Sequence, residues 1–206
     1  MNVRSLILFS TIFLMGCATP KTIRMLKDIE PVFNEVSAQT TPDIARFLEA
    51  TESGDREVRA EAVFTLSKFA RRLAPLSPSR ERVERLLLKL AETDSDFNVR
   101  CMAVFGIGEY AIDKKEAIPV INRSLADVSR QVMIEATKVA RIYKDESSLL
   151  PLLANLRTTG RWLKMETIRT LAYYKDKRVD DAFLQIKNTD DDIGVLEEIT
   201  AAMAKR

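Results

Sequence analysis

The chain has 206 residues, of which 46% are hydrophobic and 30% are charged. This composition is typical of a globular helical protein and argues against an intrinsically disordered one, and the low counts of Gly (6) and Pro (7) argue against a turn-rich all-β fold. The 32 basic and 30 acidic residues nearly balance, so the net charge predicts no nucleic-acid partner. The chain has no histidine, which is the commonest general base and metal ligand.

The first 16 residues have the pattern of an export signal. Arg4 gives a short positive start, and residues 5–16 form an uncharged, mostly apolar run that is too short to span a bilayer as a helix. The run ends in Leu14-Met15-Gly16-Cys17, which resembles the bacterial lipobox, although Met15 is larger than the residue usual at its position. The resemblance implies cleavage before Cys17 and attachment of diacylglycerol to the Cys17 sulfur. An uncleaved N-terminal anchor or a chance apolar start is the alternative.

This resemblance also predicts a location. Two or three acyl chains at Cys17 would hold the protein at a membrane almost permanently. Ala18 follows the cysteine, and in enterobacteria-like cells a residue other than Asp at that position directs a lipoprotein to the outer membrane. We therefore expect an exported protein that is lipid-anchored to the outer membrane rather than to the inner membrane.

Residues 17–41 are predicted to carry the lipid and to form a tether. Ile23, Leu26, Ile29 and Phe33 recur at helical spacing, while Pro31 disfavours an unbroken helix. The segment is interpreted as a capping helix or a partly ordered linker.

Beyond the tether the chain repeats itself. Residues 55–66 and 96–107 share an Asp, then a Val-Arg pair, then an Ala at fixed distances, and residues 129–140, 160–171 and 190–201 are weaker copies. The copies are aligned on Val58, Val99, Val132, Leu163 and Ile193. Segments of helical apolar period precede them, at roughly Asp43–Thr51, Pro78–Thr93, Lys115–Ala126, Ser147–Leu156 and Lys177–Lys187.

Each repeat is therefore predicted to be a pair of helices, with five pairs over residues 42–206. The recurring motif D-x-x-V-R-x-x-A-x-x-x-L resembles the HEAT-like repeats first associated with phycobilisome lyases. The resemblance implies an all-α fold, an α-solenoid of about five HEAT-like helix pairs in a right-handed superhelical stack. One pair cannot bury its own apolar face, so stacking of the pairs would complete the core.

Three cations occupy the same column of this repeat, namely Arg59, Arg100 and Lys164, while Met133 and Gly194 interrupt it. The functional interpretation is a basic stripe that binds an anionic partner. The structural interpretation is a ladder in which each cation reaches polar groups of a neighbouring repeat. The Asp that opens the second helix is expected to be its N-cap.

Other candidate residues also have two interpretations. Glu61, Glu135 and Glu166 form a second column, which is read as a salt-bridged surface rather than as acid–base machinery. Trp162, Tyr173 and Tyr174 are candidates for a partner-binding face, with helix packing as the alternative, and the Tyr173-Tyr174-Lys175 run is expected to be exposed. Asp190, Asp191 and Asp192 are interpreted as a helix start rather than a cation site.

The two cysteines of the chain are linked in this interpretation. If Cys17 carries lipid, Cys101 has no cysteine partner within the chain. Its place in the helical pattern predicts a small buried residue, and a reactive thiol or an intermolecular bridge is the alternative.

These features predict a non-catalytic lipoprotein whose solenoid mediates protein–protein interaction or scaffolding in the bacterial cell envelope. No catalytic set, cofactor site or metal cluster is recognised in the sequence, and the partners are expected to be envelope proteins and the membrane. The alternatives are a bilin-lyase-like enzyme or ligand carrier, and a factor for envelope integrity or assembly.

Overall fold

The computed structural model describes residues 44–157 and 160–206. The predictions for the signal peptide, for Cys17 and for the tether therefore lie outside the described residues.

The described residues form ten α-helices, joined by short loops and two 3-10 turns at Phe69–Arg71 and Glu146–Ser148. They contain no strand, as the all-α prediction requires. The helices are α1 Ile44–Ala50, α2 Arg56–Lys68, α3 Pro78–Thr93, α4 Phe97–Tyr110, α5 Lys114–Ser124, α6 Arg130–Tyr143, α7 Leu149–Asn155, α8 Arg161–Leu171, α9 Lys177–Thr189 and α10 Ile193–Ala204.

The helices alternate as first and second members of five pairs. Each second helix packs against the second helices before and after it, so that α2, α4, α6, α8 and α10 form one continuous layer. Each first helix packs on its own second helix and completes the other layer. Side chains between the layers, such as Leu66, Ile107, Leu171 and Ile199, are fully buried and form one core along the stack. This confirms the predicted α-solenoid, whose superhelical hand stays a prediction.

The capping aspartates begin the second helices as predicted. The Asp55 carboxylate accepts the Glu57 N–H at 2.8 Å, and the Asp96 carboxylate accepts the Asn98 N–H at 2.8 Å. Each of these bonds satisfies a backbone donor that has no partner inside the helix.

The fifth repeat starts two residues later than the sequence alignment predicts. Asp192 is the N-cap of α10 and accepts the Val195 N–H at 3.1 Å, so Val195 takes the buried position of Val58 and Val99. Val195 is 1% exposed, whereas Ile193 is 73% exposed. The alignment on Ile193 was therefore wrong, because any of three consecutive aspartates can cap a helix and only packing selects one of them.

Cys101 is completely buried in α4, which confirms that part of its prediction. It is disulfide-bonded rather than an unpaired thiol. The bond excludes the reactive free thiol, and an intermolecular bridge was among the alternatives that the sequence left open.

Candidate interaction surface

The column of cations forms a ladder between successive repeats. Arg59 donates from Nε and Nη2 to the two carboxylate oxygens of Asp94, at 3.0 and 2.9 Å. Arg100 makes the same paired contact with Asp127, at 2.8 and 2.8 Å. Lys164 pairs with Asp190 at the junction of the last two repeats. Planar, two-point pairing of this kind suits arginine and carboxylate, and it fixes the spacing of neighbouring repeats.

The third nitrogen of each arginine reaches back to its own repeat. Arg59 Nη1 donates to the Ser53 carbonyl at 2.9 Å, and Arg100 Nη1 donates to the Asp94 carbonyl at 2.9 Å. The side chains of Arg59 and Arg100 are only 14% and 11% exposed. The geometry therefore supports the structural ladder, and a role of these cations and of Lys164 in binding a partner stays a prediction.

The acceptors of the ladder lie in the loop before each second helix, two residues ahead of its N-cap. Asp94, Asp127 and Asp190 also accept the backbone N–H of that N-cap residue, at 2.9, 2.7 and 3.0 Å. Sequence analysis missed these acceptors, although the spacing of Asp94 and Asp96 recurs at Asp190 and Asp192.

This bonding determines the charge state of the acceptors. Burial by itself would raise the pKa of Asp94, but hydrogen bonds from the Arg59 side chain and the Asp96 backbone outweigh it and leave the pKa lowered. The pKa of Asp127 is lowered in the same way, by Arg100 and by the Ser129 backbone. Both carboxylates are thus ionised at neutral pH.

The ladder is interrupted between the third and fourth repeats. Met133 stands where Arg59 and Arg100 stand in the earlier repeats, and Gly160 stands at the N-cap of α8, where it offers no side-chain hydrogen bond. Arg130 crosses this junction, since its Cδ lies 2.8 Å from the point that a Cβ on Gly160 would occupy.

Arg130 differs from its equivalents in the other repeats. Arg56 approaches the N-cap carboxylate of Asp96 at 3.9 Å, and Arg161 approaches that of Asp192 at 3.1 Å. Within residues 44–157 and 160–206, Arg130 has no ion-pair partner, because a glycine replaces the capping aspartate it would meet.

The aromatic candidates separate into two groups. Trp162 is 68% exposed at the start of α8, and Tyr173 is 54% exposed with the Lys144 ammonium 4.5 Å from its ring centre. Tyr174 is only 6% exposed, so the expectation that it lies on the surface was wrong. Burial raises the pKa of Tyr174 to about 12. The two tyrosines differ because they follow the end of α8, where the chain turns and directs only one of two adjacent side chains into the core.

The glutamate column is longer than the sequence suggested, because the corrected register adds Glu198. Lys138 pairs with Glu135 at 2.9 Å, Arg141 with Glu166 at 2.7 Å and Arg169 with Glu198 at 2.6 Å. Burial raises the pKa of Glu135, and Lys138 opposes this effect. The predicted salt-bridged interpretation fits this column, in which Glu135 and Glu166 each have a cation partner.

The residues that the structure describes contain no cluster of three or more side chains suited to hold a metal ion. None of their helices is both long and apolar enough to cross a bilayer.

Comparison with known proteins agrees with this geometry. Residues 84–171 match the sequence profile of HEAT repeats. The matched region runs from α3 to the end of α8 and includes the interrupted junction.

Solved structures with this solenoid fold include both natural and designed proteins. The complex of CpcE and CpcF of phycocyanin lyase from Nostoc sp. PCC7120 superposes with a TM-score of 0.61 at 16% identity, covering 82% of this chain and 66% of that one. A designed armadillo repeat protein in complex with the peptide (KR)4 gives a TM-score of 0.56 at 15% identity, covering 93% and 97%. An engineered protein of a structural genomics programme gives 0.57 at 21% identity, covering 80% and 79%. At these identities the likeness concerns the fold. No curated protein sequence matches the chain.

Proposed function

We propose that this protein is a non-catalytic interaction module, tethered to a bacterial membrane by lipid on Cys17, that binds another envelope protein through its solenoid. The repeat fold supports binding, since similar solenoids include one in complex with the peptide (KR)4. The likeness to the phycocyanin lyase complex is at 16% identity and so carries no catalytic proposal for this chain.

The observation that carries the proposal is the surface at the interrupted junction. We call it the junction patch and define it as Val128, Arg130 and Trp162. Val128 is 98% exposed and Trp162 is 68% exposed. The side chain of Arg130, at the start of α6, reaches Gly160 at the start of α8. A partner surface that covers the junction patch would bury these apolar side chains.

The chemistry of the junction patch indicates what that surface contains. Arginine and tryptophan are the residues that most often dominate binding energy at protein interfaces. Arg130 already has its stem ordered over Gly160 and has no carboxylate of its own within the described part of the chain. A protein segment with a carboxylate next to an apolar side chain would therefore complement the patch. An ion pair between Arg130 and that carboxylate would favour the correct partner over others.

Site-specific photocrosslinking tests this proposal. A benzoyl-phenylalanine at position 162 of the full chain, in intact cells, is expected to give a discrete adduct with an envelope protein. The matched control carries the same probe at Leu184, which is 47% exposed on α9. Arg130→Glu should abolish the adduct from position 162. The proposal fails if positions 162 and 184 give the same products or if Arg130→Glu leaves the adduct unchanged.

The lipid anchor has a separate test. A diacylglycerol thioether and a disulfide each use the cysteine sulfur, and Cys17 is the other cysteine of the chain. Lipid on Cys17 therefore requires the disulfide of Cys101 to be intermolecular. Mass spectrometry of the purified chain under non-reducing conditions should find an N-terminal peptide that starts at an acylated Cys17. Cys17→Ala should move the protein from the membrane to the soluble fraction. A chain whose two cysteine peptides are disulfide-linked, or a Cys17→Ala variant that stays in the membrane, would exclude the anchor.

A further inference from the structure

The last helix of the stack has an apolar face that nothing in the described part of the chain covers. An open depression of about 490 Å³ runs along α10 and is lined by Ile193, Leu196, Glu197, Thr200, Ala201 and Ala204. Ile193 is 73% exposed, and Ala201 and Ala204 are also exposed.

This is the face with which the other second helices contact the next repeat. With the repeats aligned on Val195, Thr200 corresponds to Val63, Val104 and Ile168, which are all fully buried. Leu196 corresponds to Arg59 and Arg100, which pair with the following repeat. Ala204 corresponds to Arg141, which pairs with Glu166 of the following repeat. The face of α10 is thus a packing surface in which the inter-repeat cations are replaced by apolar residues.

Two charged residues frame this face. Glu197 and Lys205 are exposed two helical turns apart, with Ala201 midway between them. Neither has an ion-pair partner among the residues that the structure describes. A helix that carries Glu before a small centre and Lys after it is complementary to an antiparallel copy of itself.

We propose that α10 is a dimerisation surface that docks the α10 helix of a second copy of this chain, antiparallel and around a two-fold axis near Ala201. The two-fold arrangement places Glu197 of each copy near Lys205 of the other and keeps the two Glu197 side chains apart. Thr200, Ala201 and Ala204 are small, so the helix axes can approach closely. The contact is one helix wide, and we therefore expect a weak, concentration-dependent dimer. The proposal does not depend on the lipid anchor or on the junction patch.

Disulfide trapping in the full chain tests the contact directly. Ala201→Cys, oxidised in intact cells, is expected to give a reducible band at twice the monomer mass above the background of the wild-type chain. Leu184→Cys on α9 is the matched control and should give no such increase. Circular dichroism of each variant checks that the fold is retained.

Charge exchange then tests the orientation. Glu197→Lys or Lys205→Glu, each combined with Ala201→Cys, should lower the trapped fraction about fivefold, because each creates two like-charge contacts across the axis. Both exchanges together should restore the trapped fraction to that of Ala201→Cys alone. Trapping no greater than that of Leu184→Cys overturns the dimer, and a double exchange no better than the single exchanges overturns the antiparallel arrangement.

Discussion

Arg100 and Asp127 are joined by two hydrogen bonds of 2.8 Å each, from Nε and Nη2 to the two carboxylate oxygens. The pair links the second helix of one repeat to the loop that opens the second helix of the next. Both side chains are nearly covered, at 11% and 12% exposed. Arg59 and Asp94 repeat the arrangement one step earlier, so the same contact fixes two successive junctions.

Asp127→Asn should lower the free energy of unfolding by about 2 kcal/mol, because it leaves the covered Arg100 guanidinium without its counter-charge. Urea denaturation of the full chain measures this. Asp181→Asn, at an exposed site on α9 that makes no ion pair within the described residues, is the control and should change stability little. A loss for Asp127→Asn no larger than that for Asp181→Asn would show that the ladder does not stabilise the junction.

The lowered pKa values of Asp94 and Asp127 predict acid sensitivity. A carboxyl group with a lowered folded-state pKa stabilises the fold above its ordinary pKa of about 4, and this contribution is lost as the pH falls through the lowered value. The raised pKa of Glu135 has the opposite sign, since its contribution is lost as the pH rises. Comparing the wild type with Asp127→Asn cancels the effect of Glu135.

The difference in unfolding free energy between the wild type and Asp127→Asn should therefore be constant near neutral pH and shrink below a pH of about 4. Urea denaturation over a series of pH values measures it. A difference that grows as the pH falls would contradict the direction of the pKa shift.

Gly106→Ala should destabilise the protein although alanine is the better helix former. A Cβ at Gly106 would lie 2.4 Å from Ser67 Oγ and 2.8 Å from Leu87 Cδ2, and Ser67 and Leu87 are both fully buried. We expect a loss of about 1–2 kcal/mol, because overpacking exceeds the gain in helix propensity.

Gly194→Ala on α10 is the matched control for thermal unfolding. Its Cβ would meet the Nη2 atom of the partly exposed Arg161, which can move aside. A thermal unfolding midpoint for Gly106→Ala equal to or above that of Gly194→Ala would contradict the close approach of α4 to α2 and α3.

Gly160→Asp should repair the interrupted junction. The new carboxylate can cap α8 and pair with Arg130, as Asp192 caps α10 and pairs with Arg161. We expect a gain in stability of about 1 kcal/mol by urea denaturation. The same variant should weaken partner binding at the junction patch, seen as less photocrosslinking from position 162. Gly54→Asp, where a Cβ would meet nothing within 4 Å, is the control and should leave the crosslinking unchanged.

The sequence predicts the elements of this fold well because their signals are local. The N-caps Asp55 and Asp96 precede their apolar patterns directly, and the predicted bounds of Pro78–Thr93 agree with α3. The fifth repeat was misaligned because Asp190, Asp191 and Asp192 are locally equivalent. The surface was less predictable, since the side chains of Tyr173 and Tyr174 are adjacent in sequence and only one of them is exposed.

By itself the sequence determined that this chain is a stack of helix pairs, because helical period, capping residues and the repeat are written into short segments. The export signal and the lipid on Cys17 stay predictions from the same kind of local pattern. Only the tertiary structure decided which charged residues have partners. Arg59 and Arg130 are both arginines near the start of a second helix, yet one is held by Asp94 and the other faces Gly160. The difference lies in the neighbouring repeat, 30 or more residues away in sequence, where one junction provides a carboxylate and the other does not.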